Sequence, residues 1–155
     1  MHPRLRILVL LSLLLTSACS ASSSSTSPST PASPQVNVTG TWIGDLSAQG
    51  GQAQMRWMLT QQADNSVSGP VLVTLANGIV LLNGFFTGKI NGAVLPYTIS
   101  VGPGSIPAAP ACSGQIGGTM TVTTASTSTM AGSFAVTSST CTSPFANGNL
   151  TMTKR

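Results

Sequence analysis

The stretch Gln52-Ala53-Gln54-Met55-Arg56-Trp57-Met58-Leu59-Thr60 decides the fold class of this chain. Apolar side chains at 53, 55, 57 and 59 alternate with polar ones at 52, 54, 56 and 60, and Met58 is the exception. Successive side chains of a β-strand point to opposite faces of a sheet, so a period of two predicts a strand with one buried face.

Similar segments, rich in Val, Ile, Thr and aromatic residues, continue from Gln35 to Arg155 without a sustained helical period. Turn-forming pairs lie between or beside them, at Asp64-Asn65, Asn77-Gly78, Asn91-Gly92 and Asn147-Gly148. We therefore predict eight strands, over 39–47, 52–62, 67–75, 79–88, 93–101, 113–123, 129–138 and 148–154.

Short links make neighbouring strands antiparallel, and closure of the sheet removes its exposed edges. The sequence thus predicts an all-β domain, an eight-stranded antiparallel up-and-down barrel, with a β-sandwich of the same strands as the alternative. Asn83-Gly84 is a competing turn signal inside the fourth strand, and we interpret Gly84 as a bulge or corner glycine.

Strand parity predicts which side chains face the core. Besides those of the second strand, the predicted set is Trp42, Leu46, Val71, Val73, Leu81, Phe85, Leu95, Tyr97, Ile99, Ile116, Met120, Val122, Met130, Phe134, Val136, Leu150 and Met152. Glycines 44, 69, 118 and 132 share this parity and leave room beside the rings. We predict an apolar pocket lined by Trp57, Phe85, Tyr97 and Phe134, with Trp42 plugging one end. The competing hypothesis is a filled barrel whose glycines only permit tight coiling.

At Gly40-Thr41-Trp42 the first strand resembles the opening of the calycins, the superfamily of lipocalins, fatty-acid-binding proteins and avidins. The resemblance implies a barrel whose Trp42 closes one end against a basic side chain late in the last strand, here Lys154 or Arg155. The chain lacks a C-terminal helix after the eighth strand and a helical lid, and it has too few tryptophans for an avidin-type biotin pocket. The resemblance therefore implies a fold and no particular ligand.

The N-terminus has the features of an export signal. A basic start and the short apolar run Ile7–Leu15 precede small residues up to Ala18, which predicts a signal peptide over 1–18, too short to span a membrane as a helix. Leu15-Thr16-Ser17-Ala18-Cys19 resembles the lipobox of bacterial lipoproteins, which implies that Cys19 is acylated and begins the mature chain. An ordinary cleaved signal with an incidental cysteine is the alternative.

Residues 19–34 are mostly Ser, Thr, Ala and Pro without charge, which is typical of a flexible tether, and the barrel domain follows over 35–155. The lipobox resemblance implies a cell-envelope location with the membrane as partner through the lipid. Ser20 after the cysteine resembles outer-membrane sorting signals, so we expect the outer membrane, facing the periplasm or the cell surface.

The chain has three cysteines, an odd number for an exported protein. If Cys19 carries lipid, Cys112 and Cys141 remain as a pair in an oxidising compartment. We predict that they form a disulfide.

Catalytic and metal-binding chemistry has few candidate residues. The chain has no Glu, its one His is His2 in the predicted signal, and Asp45 and Asp64 lie near a strand end and in a turn. No serine or threonine has a base to activate it, so we expect no enzyme activity, no cofactor and no metal. Met55 and Met58 are candidate ligands for copper(I), but we interpret them as packing residues. The formal net charge of +4 comes from scattered groups, which argues against nucleic-acid binding.

Segments 71–75 and 79–82, with Phe85-Phe86, are apolar on both faces. A large exposed apolar patch often marks an interaction site. We therefore predict that Leu72, Val80, Leu82 and Phe86 form an outer patch for a protein partner, another copy or the membrane, unless the loop over 102–111 or the chain start covers them. Two functions stay open, a carrier or sensor of a small apolar molecule and a solid structural or interaction module of the envelope.

Overall fold

The computed structural model describes residues 36–48, 51–141 and 147–155. Its strands are β1 (Gly40–Ala48), β2 (Gly51–Gln61), β3 (Ser66–Leu75), β4 (Val80–Lys89), β5 (Val94–Val101), β6 (Gly114–Thr124), β7 (Ser128–Ser139) and β8 (Gly148–Lys154). The predicted signal peptide, Cys19 and the tether lie outside the described residues. Among the residues that are described, no helix has the length and apolar character needed to span a membrane.

The eight strands form a closed antiparallel barrel in chain order, and β8 pairs back with β1. The barrel prediction is confirmed, and the sandwich alternative is wrong. Each predicted strand boundary lies within one residue of the observed one. This agreement arises because Asn and Gly occupy the turns: Asn65 has a φ of 68° and Gly78 a φ of 84°.

The β2–β3 turn is held by Asp64. Its carboxylate accepts hydrogen bonds from the Ser66 hydroxyl (2.6 Å) and the Ser66 backbone N–H (3.1 Å). These two bonds hold the pKa of Asp64 below its usual value. Asp64 therefore caps this turn.

The inward parity of β4 differs from the prediction. Leu82 and Phe86 face the core, with exposed fractions of 3% and 0%, whereas Phe85 is 50% exposed on the outside and Leu81 is half-buried. The bulge in this strand lies at Leu81, because Val73 pairs with Leu82 while Thr74 pairs with Val80. Gly84 pairs regularly with Val71, so it is not the bulge.

Gly84 instead faces inward, where a Cβ would lie 2.7 Å from Ile99 Cγ2. The polar residues of β4 indicate the correct parity of this strand, because Asn83, Thr87 and Lys89 share the parity of Phe85 and point outward. Because β4 contains two adjacent apolar pairs, Leu81-Leu82 and Phe85-Phe86, either alternate set of its residues could face an apolar core. Only the polar positions distinguish the two sets.

The core is filled by large side chains, among them Trp42, Trp57, Phe86, Leu95, Ile99, Met120, Met130, Leu150 and Met152, all with exposed fractions of 2% or less. Glycines do not leave space beside them. A Cβ on Gly132 would overlap the Thr119 carbonyl oxygen, and one on Gly118 would overlap the Ser133 carbonyl oxygen. These residues let β6 and β7 pack closely, as the filled-barrel hypothesis expects.

The two ends of the barrel are different. We call the end where β1 begins and β8 ends the closed end, and the opposite end, which carries the long β5–β6 connection over residues 102–113, the loop end. Four of the charged side chains, Asp64, Lys89, Lys154 and Arg155, lie at the closed end. Lys89 is the only charged residue of the chain between positions 65 and 153, so the loops of the loop end are neutral.

Candidate binding site at the loop end

The closed end is sealed by Trp42. Its side chain is fully buried and its indole N–H donates to the Val38 carbonyl at 2.8 Å, while Val38, also buried, lies against it. Lys154 Nζ lies 5.7 Å from the centroid of the Trp42 ring and donates to the Asn37 carbonyl at 3.4 Å. The predicted plug is therefore present, with Lys154 as the cation over the indole.

Three aromatic rings fill the middle of the barrel. The centroid distances are 5.0 Å between Trp57 and Phe86, 5.2 Å between Trp57 and Tyr97, and 5.3 Å between Phe86 and Tyr97. Such contacts are typical of packed aromatic clusters. Because the rings touch one another, they leave no ligand-sized space between them.

Two polar atoms belong to this aromatic cluster. The Tyr97 hydroxyl donates to the Ser133 carbonyl at 3.3 Å, and burial raises the pKa of Tyr97 to about 12. The Trp57 indole N–H is buried and finds no acceptor among the described residues. An unpaired buried donor costs about 1–3 kcal/mol, so the cluster keeps its geometry at some expense of stability.

The predicted pocket is only partly assembled. Trp57 and Tyr97 do lie together, but Phe85 is outside the barrel and Phe86 takes its place. Phe134 is half-buried, with its ring about 3.0 Å from where a Cβ on Gly148 would lie. In the structure, Phe86 thus replaces Phe85 as a lining residue, and Phe134 lies apart from the aromatic cluster.

The predicted outer patch is also corrected. Leu72 and Val80 are half-buried, but Leu82 and Phe86 belong to the core. The large apolar side chains that are exposed among the described residues are instead Met58 (43%), Ile79 (55%), Phe85 (50%) and Val94 (44%). Pro70 pairs with Phe85, and the β2–β3 register places Met58 opposite Pro70. We call Met58, Pro70, Leu72 and Phe85 the outer apolar patch.

At the loop end, Ile106 of the β5–β6 connection is buried, with an exposed fraction of 7%. A cavity of about 10 Å³ lies beside it, which is room for about one water molecule. Its walls are Val101, Ile106, Gly114, Gln115, Ile116, Val136, Ser138, Ser139 and Cys141. Apart from this small cavity, the side chain of Ile106 fills the mouth of the barrel.

The connection over 102–113 is fastened to the barrel. Cys112 and Cys141 form a disulfide, as predicted, and Ser113 and Thr140 exchange hydrogen bonds beside it. The sequence offered no comparable signal for the burial of Ile106, which is one apolar residue among Gly, Pro, Ser and Ala.

The barrel wall is incomplete next to this connection. β5 pairs with β4 only from Phe85 to Gly88, so Val80–Gly84 have no partner in β5. The Asn83 N–H donates instead to the Ser105 carbonyl of the connection, at 2.8 Å. Residues 102–113 thus cover both the mouth of the barrel and a gap in its side.

Comparison with known proteins gives a likeness of fold. No family model matches the chain, and no curated protein matches it either. Among solved structures, the chain is similar to a redesigned β-barrel, mFAP1, bound to DFHBI, with a TM-score of 0.53, 13% sequence identity, and coverage of 76% of this chain and 94% of that one. At this identity the likeness shows a shared barrel fold.

Proposed function

We propose that this chain is a non-catalytic binding domain, held on the cell envelope by a lipid on Cys19, and that it binds a small, neutral, apolar ligand at the loop end. The difference between the two ends carries the proposal. Trp42 and Val38 seal the closed end, whereas the loop end has an apolar, uncharged mouth with a residual cavity next to Ile106. A pocket with apolar walls selects neutral apolar molecules.

The fold is compatible with this function, since the similar barrel mFAP1 holds DFHBI. The residues favour binding over catalysis. Asp45 and Asp64 are exposed on β1 and in the β2–β3 turn, neither of them lines the cavity at the mouth, and the chain contains no Glu. General acid–base catalysis needs a titratable group at the reacting centre, and the walls of the mouth contain none.

The proposed lipid anchor agrees with the distribution of charge between the two ends of the barrel. The chain enters the barrel at the closed end, where Lys89, Lys154 and Arg155 outnumber Asp64. Basic side chains are attracted to anionic lipid headgroups by about 1 kcal/mol each. A tether over 19–34 reaches about 55 Å when fully extended. With the closed end towards the membrane, the loop end remains free for a ligand.

The anchor is tested by Cys19→Ser in the full-length chain. We expect the protein to move from the membrane fraction to the soluble envelope fraction, because the thiol that takes the acyl chains is lost. Ser20→Ala is the matched control and should stay with the membrane. Undiminished membrane fractionation of the Cys19→Ser chain would contradict the anchor without affecting the ligand proposal.

Ligand binding is tested by titrating the unacylated Cys19→Ser chain with laurdan, a neutral fluorescent probe that carries a dodecanoyl chain. We expect saturable binding of one probe per chain, which is displaced by 1-decanol. Non-saturable binding, or none, would remove the ligand proposal.

The outer apolar patch supports a second candidate function, a solid module that binds an envelope protein or another copy. Exposed Met58 of β2 and Phe85 of β4 flank Pro70 of β3 on the outer wall. Phe85→Ser should then abolish self-association in sedimentation velocity, or cross-linking to a partner in whole cells, while Ile79→Ser, at an exposed apolar residue in the β3–β4 turn, should not. Unaltered association of the Phe85→Ser chain would exclude this function for the patch.

A further inference from the structure

The β5–β6 connection is a compact unit with its own hydrogen bonds. The Gly104 N–H donates to Pro110 O at 2.7 Å, the Ala109 N–H to Ile106 O at 2.9 Å, and the Cys112 N–H to Ala109 O at 2.8 Å. Because these bonds join residues within the connection, it can move as a body without losing its own structure.

The two feet of this unit are fastened unequally. At Cys112 the disulfide to Cys141 and the hydrogen bonds between Ser113 and Thr140 fix it to β7. At the other foot, Gly102 and Gly104 are exposed, and Gly104 has a φ of 80°, a conformation that glycine adopts without strain. The unit can therefore pivot about its Cys112 foot.

Between its feet, two contacts hold the unit down. One is the hydrogen bond from the Asn83 N–H to Ser105 O, and the other is the buried side chain of Ile106 between Val101, Ile116 and Val136. The hydrogen bond lies at the gap along Val80–Gly84, and Val101, which lines the cavity beside Ile106, is the last residue of β5, the strand that leaves this gap. Lifting the unit breaks them together and opens the mouth and the side gap as one continuous apolar opening.

We propose that residues Gly102–Ser113 form a lid and that Ile106 is a built-in occupant of the ligand site, which an aliphatic chain end of a neutral ligand displaces. The space freed is that of one branched side chain plus the adjoining cavity, so it accepts the end of an alkyl chain rather than a whole ring system. The rest of the ligand lies in the gap between Val80–Gly84 and the lid. This inference rests on the proposed function and locates its site.

The proposal predicts the behaviour of Ile106 variants of the unacylated chain. A ligand that competes with an internal occupant binds with an affinity reduced by the population of the closed state. Ile106→Ala weakens the occupant and should raise the affinity for 1-decanol, measured by displacement of laurdan, roughly tenfold, within the usual range of such coupling. Ile106→Phe fills the site more fully and should lower it. Ile79→Ala, an exposed residue at the same end, is the control and should leave it unchanged.

A second measurement needs no substitution at the lid. In amide hydrogen exchange of the unacylated chain, saturating 1-decanol should accelerate exchange at Asn83, because its N–H loses Ser105 O when the lid lifts. The Ile90 N–H, bonded to Asn65 O at the closed end, should exchange no faster. This pair of amides reports on lid movement even if Ile106→Ala folds poorly.

The outcomes separate the lid from the function. Decanol binding of equal affinity in the parent and in both Ile106 variants, with unchanged exchange at Asn83, overturns the lid while leaving the ligand proposal standing. Absence of binding in the parent and in Ile106→Ala overturns both.

Discussion

Gly132 shows how a single residue determines the packing of this barrel wall. It pairs with Met120 of β6, and a Cβ at this position would meet the Thr119 carbonyl oxygen and the Met120 backbone. Backbone atoms cannot move aside as a flexible side chain can. The same limit applies at Gly118, so close packing of β6 against β7 depends on missing side chains at both positions.

We predict that Gly132→Val destabilises the protein by about 1–3 kcal/mol or more, because overpacking forces the backbone to shift. Ala131→Val is the control, since Ala131 is exposed on the outer face of the same strand and valine suits a strand. Chemical denaturation of both variants measures the difference. Wild-type stability of Gly132→Val would mean that the strands are not in close contact there.

Tyr97 is the only tyrosine of the chain, and its pKa is raised to about 12 because burial disfavours the charged phenolate. From pH 10 upward, an unfolded chain loses the phenolic proton while the folded chain keeps it. Stability must therefore fall as the pH rises through this range.

Tyr97→Phe removes this titration together with the hydrogen bond to Ser133 O. We predict that the stability advantage of the wild type over the variant decreases between pH 10 and about pH 12. Denaturation of both chains across this range measures the difference, and charged groups common to both cancel. Absorbance titration of the tyrosine gives the pKa directly, and a midpoint near 10 in the folded protein would contradict the prediction.

Among the elements, β4 and the lid depart from regular hairpin geometry, and a further register shift, at Thr137 of β7, also lies at the loop end. β4 carries the bulge at Leu81, and its first residues have lost β5 as a partner. The lid replaces that partner with one hydrogen bond to Asn83 and is itself fastened by the disulfide. Both irregular elements lie at the loop end, where the candidate site is.

The disulfide closes a loop of 29 residues in sequence separation. In the chain-entropy model this constraint on the unfolded state is worth about 3–4 kcal/mol. We predict that the double variant Cys112→Ser, Cys141→Ser unfolds at lower denaturant concentration by that free energy and exchanges its lid amides faster. Ser113→Ala, which keeps the disulfide but alters its neighbour, is the control. Two titratable thiols in the unfolded, non-reduced wild type would show that the bond is absent.

At the scale of the whole molecule, one continuous core joins the closed end to the loop end. Trp42 reports on the closed end and Trp57 on the middle, and both are fully buried. Because the strands close into a ring, loss of any one exposes two edges, so partial unfolding is unfavourable.

We predict a single cooperative transition. In Trp57→Phe, fluorescence of the remaining Trp42 and the far-UV circular dichroism of the strands should give the same unfolding midpoint. Trp42→Phe, in which Trp57 is the reporter, should behave likewise. Separate midpoints in either variant would show that the closed end and the barrel wall unfold independently.

Much of the fold followed from local sequence. The alternation in β2 predicted a half-buried strand, the Asn and Gly pairs predicted the turns, and Cys112 and Cys141 predicted their disulfide. The calycin resemblance at Gly40-Thr41-Trp42 implied a plug with Lys154 or Arg155, and Lys154 takes that place. These predictions succeeded because strand period, turn conformation and thiol pairing depend on residues near in sequence or few in number.

The sequence by itself thus determined the number of strands, their turns, and which parity of side chains faces the core in every strand except β4, because these follow from local backbone preferences and hydrophobic periodicity. Only the tertiary structure decided the phase of β4, which places Phe86 inside the barrel and Phe85 outside. It also decided that Ile106 enters the mouth beneath its own loop, since a connection without periodicity acquires its contacts from the distant strands that it covers.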